Sequence, residues 1–216
     1  MRHLITVVAL LLTALTAPPV RAEGEAAGDF SYYVLALSWS SAWCALTGDA
    51  RGDPQCDAGL GLTFVLHGLW PQEDPSGWPS YCRTAESDPS RGDSAAMADI
   101  MGGPGLAWYQ WKKHGRCAGL SAREYYATMR RAYGSVTIPP VFARIDRDLT
   151  LDASVIEAAF LDSNPQLTAD QVTVTCDAGL VQEVRLCLTK DLHPRRCGSD
   201  ASRDCTLPDA VLEAVR

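Results

Sequence analysis

Phe64-Val65-Leu66-His67-Gly68-Leu69-Trp70-Pro71 follows Leu62-Thr63 in the chain. From Leu62 to Leu66 the side chains are apolar on both faces, the mark of a strand inside a sheet, with His67 at its end. Working outward, Ser31 to Trp39 is rich in Tyr, Val and Leu and reads as a second strand. Val172 to Thr175 and Leu180 to Leu188 read as two more, joined through Asp177-Ala178-Gly179; the latter alternates only imperfectly. Helices fall between them. Ser94 to Met101 is stopped by Gly102-Gly103-Pro104, and Leu106 to Lys113 ends at Gly115, read as a left-handed cap. Ser121 with Glu124 forms a capping-box pattern ahead of Tyr125, Met129 and Ala132 at helical spacing. Ser154 and Glu157 repeat that pattern for a helix ending near Asn164-Pro165. Glu73 to Asp93, crowded with Pro, Gly, Ser and Asp, reads as a long functional loop. The pattern predicts a single α+β domain, with helices inserted between the strands of a mostly antiparallel sheet.

Composition agrees with that class. Of 216 residues, 47% are hydrophobic and 21% charged, which excludes general disorder, collagen-like repeats and coiled-coil rods. A net charge of −7 excludes a protein that coats nucleic acid by charge alone and leaves room for a local basic site. Residues 1–22 read as a secretory signal peptide: Arg2-His3, an apolar run from Leu4 to Ala17, then Val20-Arg21-Ala22 at the cleavage site. The run is shorter than the ~20 residues of a membrane span, so no membrane association is expected after cleavage. Residues 23–216 form the predicted domain, with 23–29, small and acidic, as a frayed start. Removing Arg2 and Arg21 takes the basic count from 19 to 17 against 26 acidic residues, a net −9.

The 8 cysteines, Cys44, Cys56, Cys82, Cys117, Cys176, Cys187, Cys197 and Cys205, all lie beyond the cleavage site. An even set in an exported chain implies disulfides, although spacing alone leaves about a hundred pairings open. No Cys-x-x-Cys occurs, so a thioredoxin-type site and a zinc ribbon both lack support. The single asparagine, Asn164, precedes a proline, leaving no glycosylation sequon. The expected location is the bacterial periplasm or the extracellular medium, and the expected state a monomer.

Histidine is scarce, and its placement is informative. Of 4 histidines, His3 leaves with the signal peptide and His193 sits in a polar segment between Cys187 and Cys197. His67 ends the apolar strand, and His114 lies in Trp108-Tyr109-Gln110-Trp111-Lys112-Lys113-His114-Gly115-Arg116-Cys117. On a helix Gln110 and His114 are i,i+4 neighbours, with Lys113 beside them. Two imidazoles and a fixed cation suit phosphoryl transfer. A neutral imidazole takes a proton from an attacking hydroxyl, and a protonated one gives a proton to the leaving oxygen. A lysine neutralises charge building on phosphorus. The plain alternative is a pair of hydrogen-bonded core histidines. A zinc site through His67, His114 and His193 lacks the usual ligand spacings, and neither a metal nor a cofactor is expected.

The blocks F-V-L-H-G-L-W-P and W-K-K-H-G-R-C resemble the two signature segments of the RNase T2 family of secreted endoribonucleases. Ser38-Trp39…Cys44, Leu120-Ser121…Tyr125 and the cysteine-bearing C-terminal hairpin resemble it too, so the likeness spans about residues 30–205. The resemblance implies cleavage of single-stranded RNA through a 2′,3′-cyclic phosphate to a 3′-phosphate, without a cofactor and with little base preference. It implies His67 as general acid, His114 as general base and Lys113 as stabiliser of the phosphorane. It also implies the disulfides Cys44–Cys56, Cys82–Cys117, Cys176–Cys205 and Cys187–Cys197. Two positions depart from the family pattern: Tyr109 and Gln110 stand where His and Glu are usual, and the glutamate is counted as catalytic. An impaired member serving as a secreted RNA- or protein-binding module is therefore the rival expectation. Trp70, Trp78 and Tyr81 are candidate base-stacking residues, with Tyr109 and Arg116 as candidate phosphate contacts. Trp39, Trp108 and Trp111 are read as core.

Overall fold

The computed structural model describes residues 25–216; the signal-peptide expectation for 1–22 lies outside the described residues. Among these, six strands form one sheet: β1 (Tyr32–Trp39), β2 (Phe64–Gln72), β3 (Leu149–Leu151), β4 (Val172–Asp177), β5 (Leu180–Leu188) and β6 (Ala210–Leu212). The order is β2-β1-β5-β6-β3, with β4 also pairing β5. All pairings are antiparallel except a single parallel contact between β5 and β6 at Leu180 and Val211. The helices are α1 (Ser40–Trp43), α2 (Asp49–Arg51), α3 (Arg91–Ala95), α4 (Ala98–Met101), α5 (Pro104–Lys113), α6 (Ala122–Gly134) and α7 (Ser154–Ser163). The fold is single-domain α+β.

The two sheet faces differ. One carries Leu35, Leu37, Phe64, Leu66, Leu69, Val184 and Leu186 into the main core against Trp111, Tyr125, Met129 and Phe160 of the helices. Burial of each large apolar side chain there stabilises the fold by roughly 1.5–3 kcal/mol. The other face packs Tyr32, Val34 and Cys187 beneath Cys197 and Ala201 of the C-terminal segment, with Trp70 at the edge. That second face floors the functional cavity.

Strand β2 does not end at Leu66. It runs through His67 and Gly68 to Gln72, because a β-bulge at Ala36/Leu37 resets its register. The expected helix over Ser94–Met101 is two short ones, and the first begins earlier, under a Ser90–Asp93 capping box. Ser121 and Glu124 cap α6 as expected. Ser154 is instead the first residue of α7, and the Asp152 carboxylate accepts its backbone N–H at 2.9 Å. Gly115 is not a left-handed cap; that conformation belongs to Gly119, with φ +70°. Gly115 is needed for space, since a Cβ there would lie 2.6–2.7 Å from the Trp111 and Tyr125 rings. Nor is the segment from residue 25 to 29 frayed: Glu25 accepts the Arg83 N–H at 3.0 Å, and the Gly28 N–H reaches the Cys117 carbonyl at 2.9 Å. The four disulfides pair Cys44–Cys56, Cys82–Cys117, Cys176–Cys205 and Cys187–Cys197.

Candidate active site

Helix α5 sets one wall of the site through simple periodicity. Ala107, Gln110, Trp111 and His114 follow the i, i+3, i+4, i+7 spacing of one helix face, and all four are buried. Pro104 starts the helix and His114 is its C-cap. The long loop clamps it: Cys82 is bridged to Cys117, the Tyr81 N–H reaches the Lys113 carbonyl at 2.8 Å, and Asp88 accepts Trp111 Nε1 at 2.9 Å. Asp88 also takes Arg116 Nη2 at 2.6 Å, so Arg116 serves this clamp, and it is not among the residues lining the cavity.

The opposite wall is the bulge. Ala36 pairs with Gly68 and Leu37 with Leu66, leaving His67 as the extra residue. Bulges of this kind re-aim one side chain without moving the strand's neighbours. Leu66 and Leu69 both stay in the core, while His67 joins Trp70 and Gln72 along the cavity. Gly68 permits the close approach, since a Cβ there would fall on Trp70 Nε1 and Gln110 Oε1. The cavity encloses about 430 Å³ and is lined by His67, Lys113 and His114 together with Gln110, Trp78 and Arg185.

The two imidazoles sit in opposite surroundings. His67 Nδ1 is in a short contact with Glu183 Oε1. Glu183 lies on β5, 3% exposed, and its other oxygen receives Arg185 Nε at 2.8 Å and Nη2 at 2.7 Å. Burial pushes its carboxyl up, but the His67 and Arg185 partners outweigh this and hold it at about 2. His114 has no such partner: its Nδ1 is sealed from solvent without a hydrogen bond among the described residues. Burial first, then the charges of Lys113 and His67, lower it to about 3, so it is neutral across the ordinary pH range.

Trp70 stands between them. Its ring stacks on His114 at 5.4 Å and meets the edge of His67 at 5.2 Å. The Arg185 guanidinium lies 5.3 Å from the same ring, and Trp70 Nε1 donates to Gln110 Oε1 at 2.8 Å. That bond fixes the amide's orientation, because an indole can only donate. Gln110, 1% exposed, therefore turns its NH₂ away from Trp70.

A sequence profile of the Ribonuclease T2 family matches residues 30–197. The chain belongs to this family. It is 39% identical over 126 residues to a ribonuclease of Aeromonas hydrophila, covering 58% of this chain and 55% of that protein. It is 23% identical over 244 residues to ribonuclease I of Escherichia coli, covering 87% and 91%. The match spans about half the length of the Aeromonas relative and of a probable ribonuclease of Haemophilus influenzae. Among solved structures, trichomaglin, an S-like ribonuclease, shares the fold with a TM-score of 0.66 at 21% identity, covering 86% of this chain and 98% of that one. RNase NT in complex with 5′-AMP does so at 0.57 and 19%, covering 84% and 99%.

His67, Gln110, Lys113, His114, Trp70, Trp78 and Tyr109 come together around one cavity. Tyr81 does not line it; its backbone, at φ 50°, is tied to the end of α5. Trp70 is half-buried between the His114 ring and the Arg185 guanidinium, and Trp78 is 53% exposed. Trp108 is not core: it is 46% exposed, with the Lys112 ammonium 5.3 Å from its ring. His193 is exposed in the turn after β5 and does not line the cavity that His67 and His114 share. Sequence reasoning missed three charged residues: Arg185 and Asp200, which line the cavity, and Glu183, which is bonded to His67. The one signal for Glu183 and Arg185 was two charges at i,i+2 in a strand that is apolar apart from them and Gln182.

Proposed function

We propose that this chain is an endoribonuclease that cleaves single-stranded RNA by transesterification to a 2′,3′-cyclic phosphate, then hydrolyses the ring to a 3′-phosphate. The observation that carries the reading is the pair of imidazoles in one cavity, one bonded to an ionised carboxylate and one desolvated and neutral. Opposed environments of this kind separate an acid from a base. His114, neutral, takes the 2′-hydroxyl proton as O2′ attacks phosphorus. His67, protonated against Glu183, delivers a proton to O5′ as the P–O5′ bond breaks. In the second step the roles reverse: His67 draws a proton from water and His114 returns one to O2′.

Lys113 neutralises the phosphorane oxygens. The Gln110 amide, oriented by Trp70, donates to one of the same oxygens. Trp78 offers a stacking face for a base, with Tyr109 beside it, and contacts of this sort favour low base specificity. RNA supplies its own nucleophile, so we expect activity to persist in excess chelator. The even cysteine set, all oxidised, supports export, and we take the exported form to be a monomer of residues 23–216 left after removal of a signal peptide at 1–22.

Gln110 and Tyr109 favour a rival reading, a binding module without turnover. Against it stands Gln110 itself, buried in the cavity and bonded to Trp70 beside an intact His67, Lys113 and His114. A zymogram with RNA cast in the gel and chelator present separates the two. Clearing by the wild type, lost in His114→Ala, with cyclic phosphate ends on the products, supports the enzyme. No clearing by folded wild-type protein refutes it.

A further inference from the structure

One buried group bonded to a cavity residue touches no reacting atom in the chemistry above. Glu183 accepts four hydrogen bonds. His67 Nδ1 and Ser38 Oγ, the latter at 3.2 Å, reach Oε1, and Arg185 reaches Oε2 through Nε and Nη2. Four bonds fill the acceptor capacity of a carboxylate, so none is left for substrate. Whatever Glu183 does, it does through its partners.

We infer that Glu183 is the positioning residue of the proton donor, holding His67 by Nδ1 so that Nε2 alone faces the substrate and the ring keeps both protons until the leaving oxygen takes one. This rests on the ribonuclease reading and extends it to the group that makes His67 an acid. The charges around His67 require such a group. From α5, Lys113 opposes a proton on the ring, and His114 does so whenever it is protonated; from β5, Arg185 does the same. Asp200, from the C-terminal segment, also lines the cavity, with one oxygen engaged by the Gly77 N–H at 2.6 Å. Glu183 is the anion bonded to the imidazole.

The placement follows from the sheet. Glu183 and Arg185 are two residues apart on β5 and so share a face. They pair across β1 with Ser38 and Ala36, beside the bulge that releases His67. One carboxylate thus joins the donor to a second cation of the cavity. A glutamine at 183 has a single acceptor oxygen. It can serve Arg185 or His67 but not both, and its NH₂ faces whichever is left.

The test compares two substrates on the full disulfide-bonded protein. A dinucleoside phosphate has a poor alkoxide leaving group and needs the acid, whereas a nucleoside 3′-(4-nitrophenyl phosphate) expels a stable phenolate and does not. Glu183→Gln is expected to lower kcat on the dinucleotide ~10²-fold, the scale of a lost general acid. The limb of its pH profile that requires protonated His67 moves to lower pH, and the aryl ester stays within about threefold of wild type. Glu183→Asp recovers at least part of the dinucleotide rate. His67→Ala shows the same selectivity. In wild-type protein, proton NMR is expected to show a far-downfield His67 Nδ1–H resonance that is absent in His67→Ala.

Equal losses on both substrates, or an unshifted profile, reduce Glu183 to a structural role and overturn the inference while leaving the ribonuclease reading intact. Should Glu183→Gln not fold, the wild-type resonance decides, and its absence overturns the inference. Wild-type protein that cleaves neither substrate overturns both readings.

Discussion

Lowering the pH should weaken this fold through His114, and the size of the effect follows from its burial. The ring is 5% exposed and is lowered to about 3 from an ordinary value of 6.5, by desolvation first and then by Lys113 and His67. Below pH 6.5 the unfolded chain takes up a proton that the folded site refuses. The unfolded state then binds more protons, so the free energy of unfolding falls as pH falls, until the folded ring titrates near 3. At about 1.4 kcal/mol per pH unit, the loss from this group between pH 7 and pH 4 is about 3 kcal/mol. In a chain of this length that is roughly 6–12 °C in Tm. Glu183 adds a smaller loss. Held at about 2 from 4.5, its contribution is complete above 4.5 and disappears as pH falls through 2, mostly below this window. The perturbation that isolates His114 is His114→Gln, which keeps a polar side chain but cannot take the proton. Urea unfolding of both proteins at pH 7 and pH 4, disulfides intact, gives the four free energies needed. The variant should lose about 3 kcal/mol less than wild type across the interval, whatever its stability at pH 7. Equal losses would mean that His114 accepts a proton in the folded state, and its role as a neutral base would fall with it.

His67→Ala and His114→Ala are each expected to reduce RNA cleavage by at least ~10²-fold; near-native activity of either, with native stability, rejects the two-histidine mechanism. Gln110→Glu should raise kcat about tenfold, or about 1.4 kcal/mol of barrier, with a small rise in KM. A carboxylate keeps the bond from Trp70 Nε1 and brings a negative charge toward the imidazolium that His114 becomes. Unchanged or lower kcat in folded protein would show that the cavity is built around the amide. Gly115→Ala should destabilise the fold by about 1–3 kcal/mol, because the added methyl must displace the Trp111 and Tyr125 rings. Denaturant unfolding checks this, and a loss below about 0.5 kcal/mol would contradict the close packing.

The helical half of the site was legible because its rules are local. The spacing of Ala107, Gln110, Trp111 and His114 and the Ser121–Glu124 box are written within a turn or two, and the backbone obeys them wherever the helix sits. The scarcity of histidine and the lysine beside His114 pointed to phosphoryl transfer without any geometry. The even cysteine count announced disulfides, and the family likeness supplied pairings that spacing left open.

The other half was decided only in three dimensions. His67 faces the cavity because β2 pairs with β1 out of step by one residue, and a bulge depends on the partner strand, which the sequence of β2 does not contain. Strand alternation assigns Glu183 and Arg185 to one face but does not say whether water or a histidine lies beyond it. Glu183 meets a residue 116 positions away, and what holds a carboxylate at 3% exposure is the set of partners the fold assembles around it. The same holds for Trp70, where indole, imidazole, guanidinium and amide arrive from β2, α5 and β5. By itself the sequence determined the fold class, the two catalytic-type blocks and the oxidised cysteines, because short-range periodicity and residue chemistry carry them. The tertiary structure alone decided which imidazole is paired and which is dry, because burial and long-range pairing set the charge each one can hold.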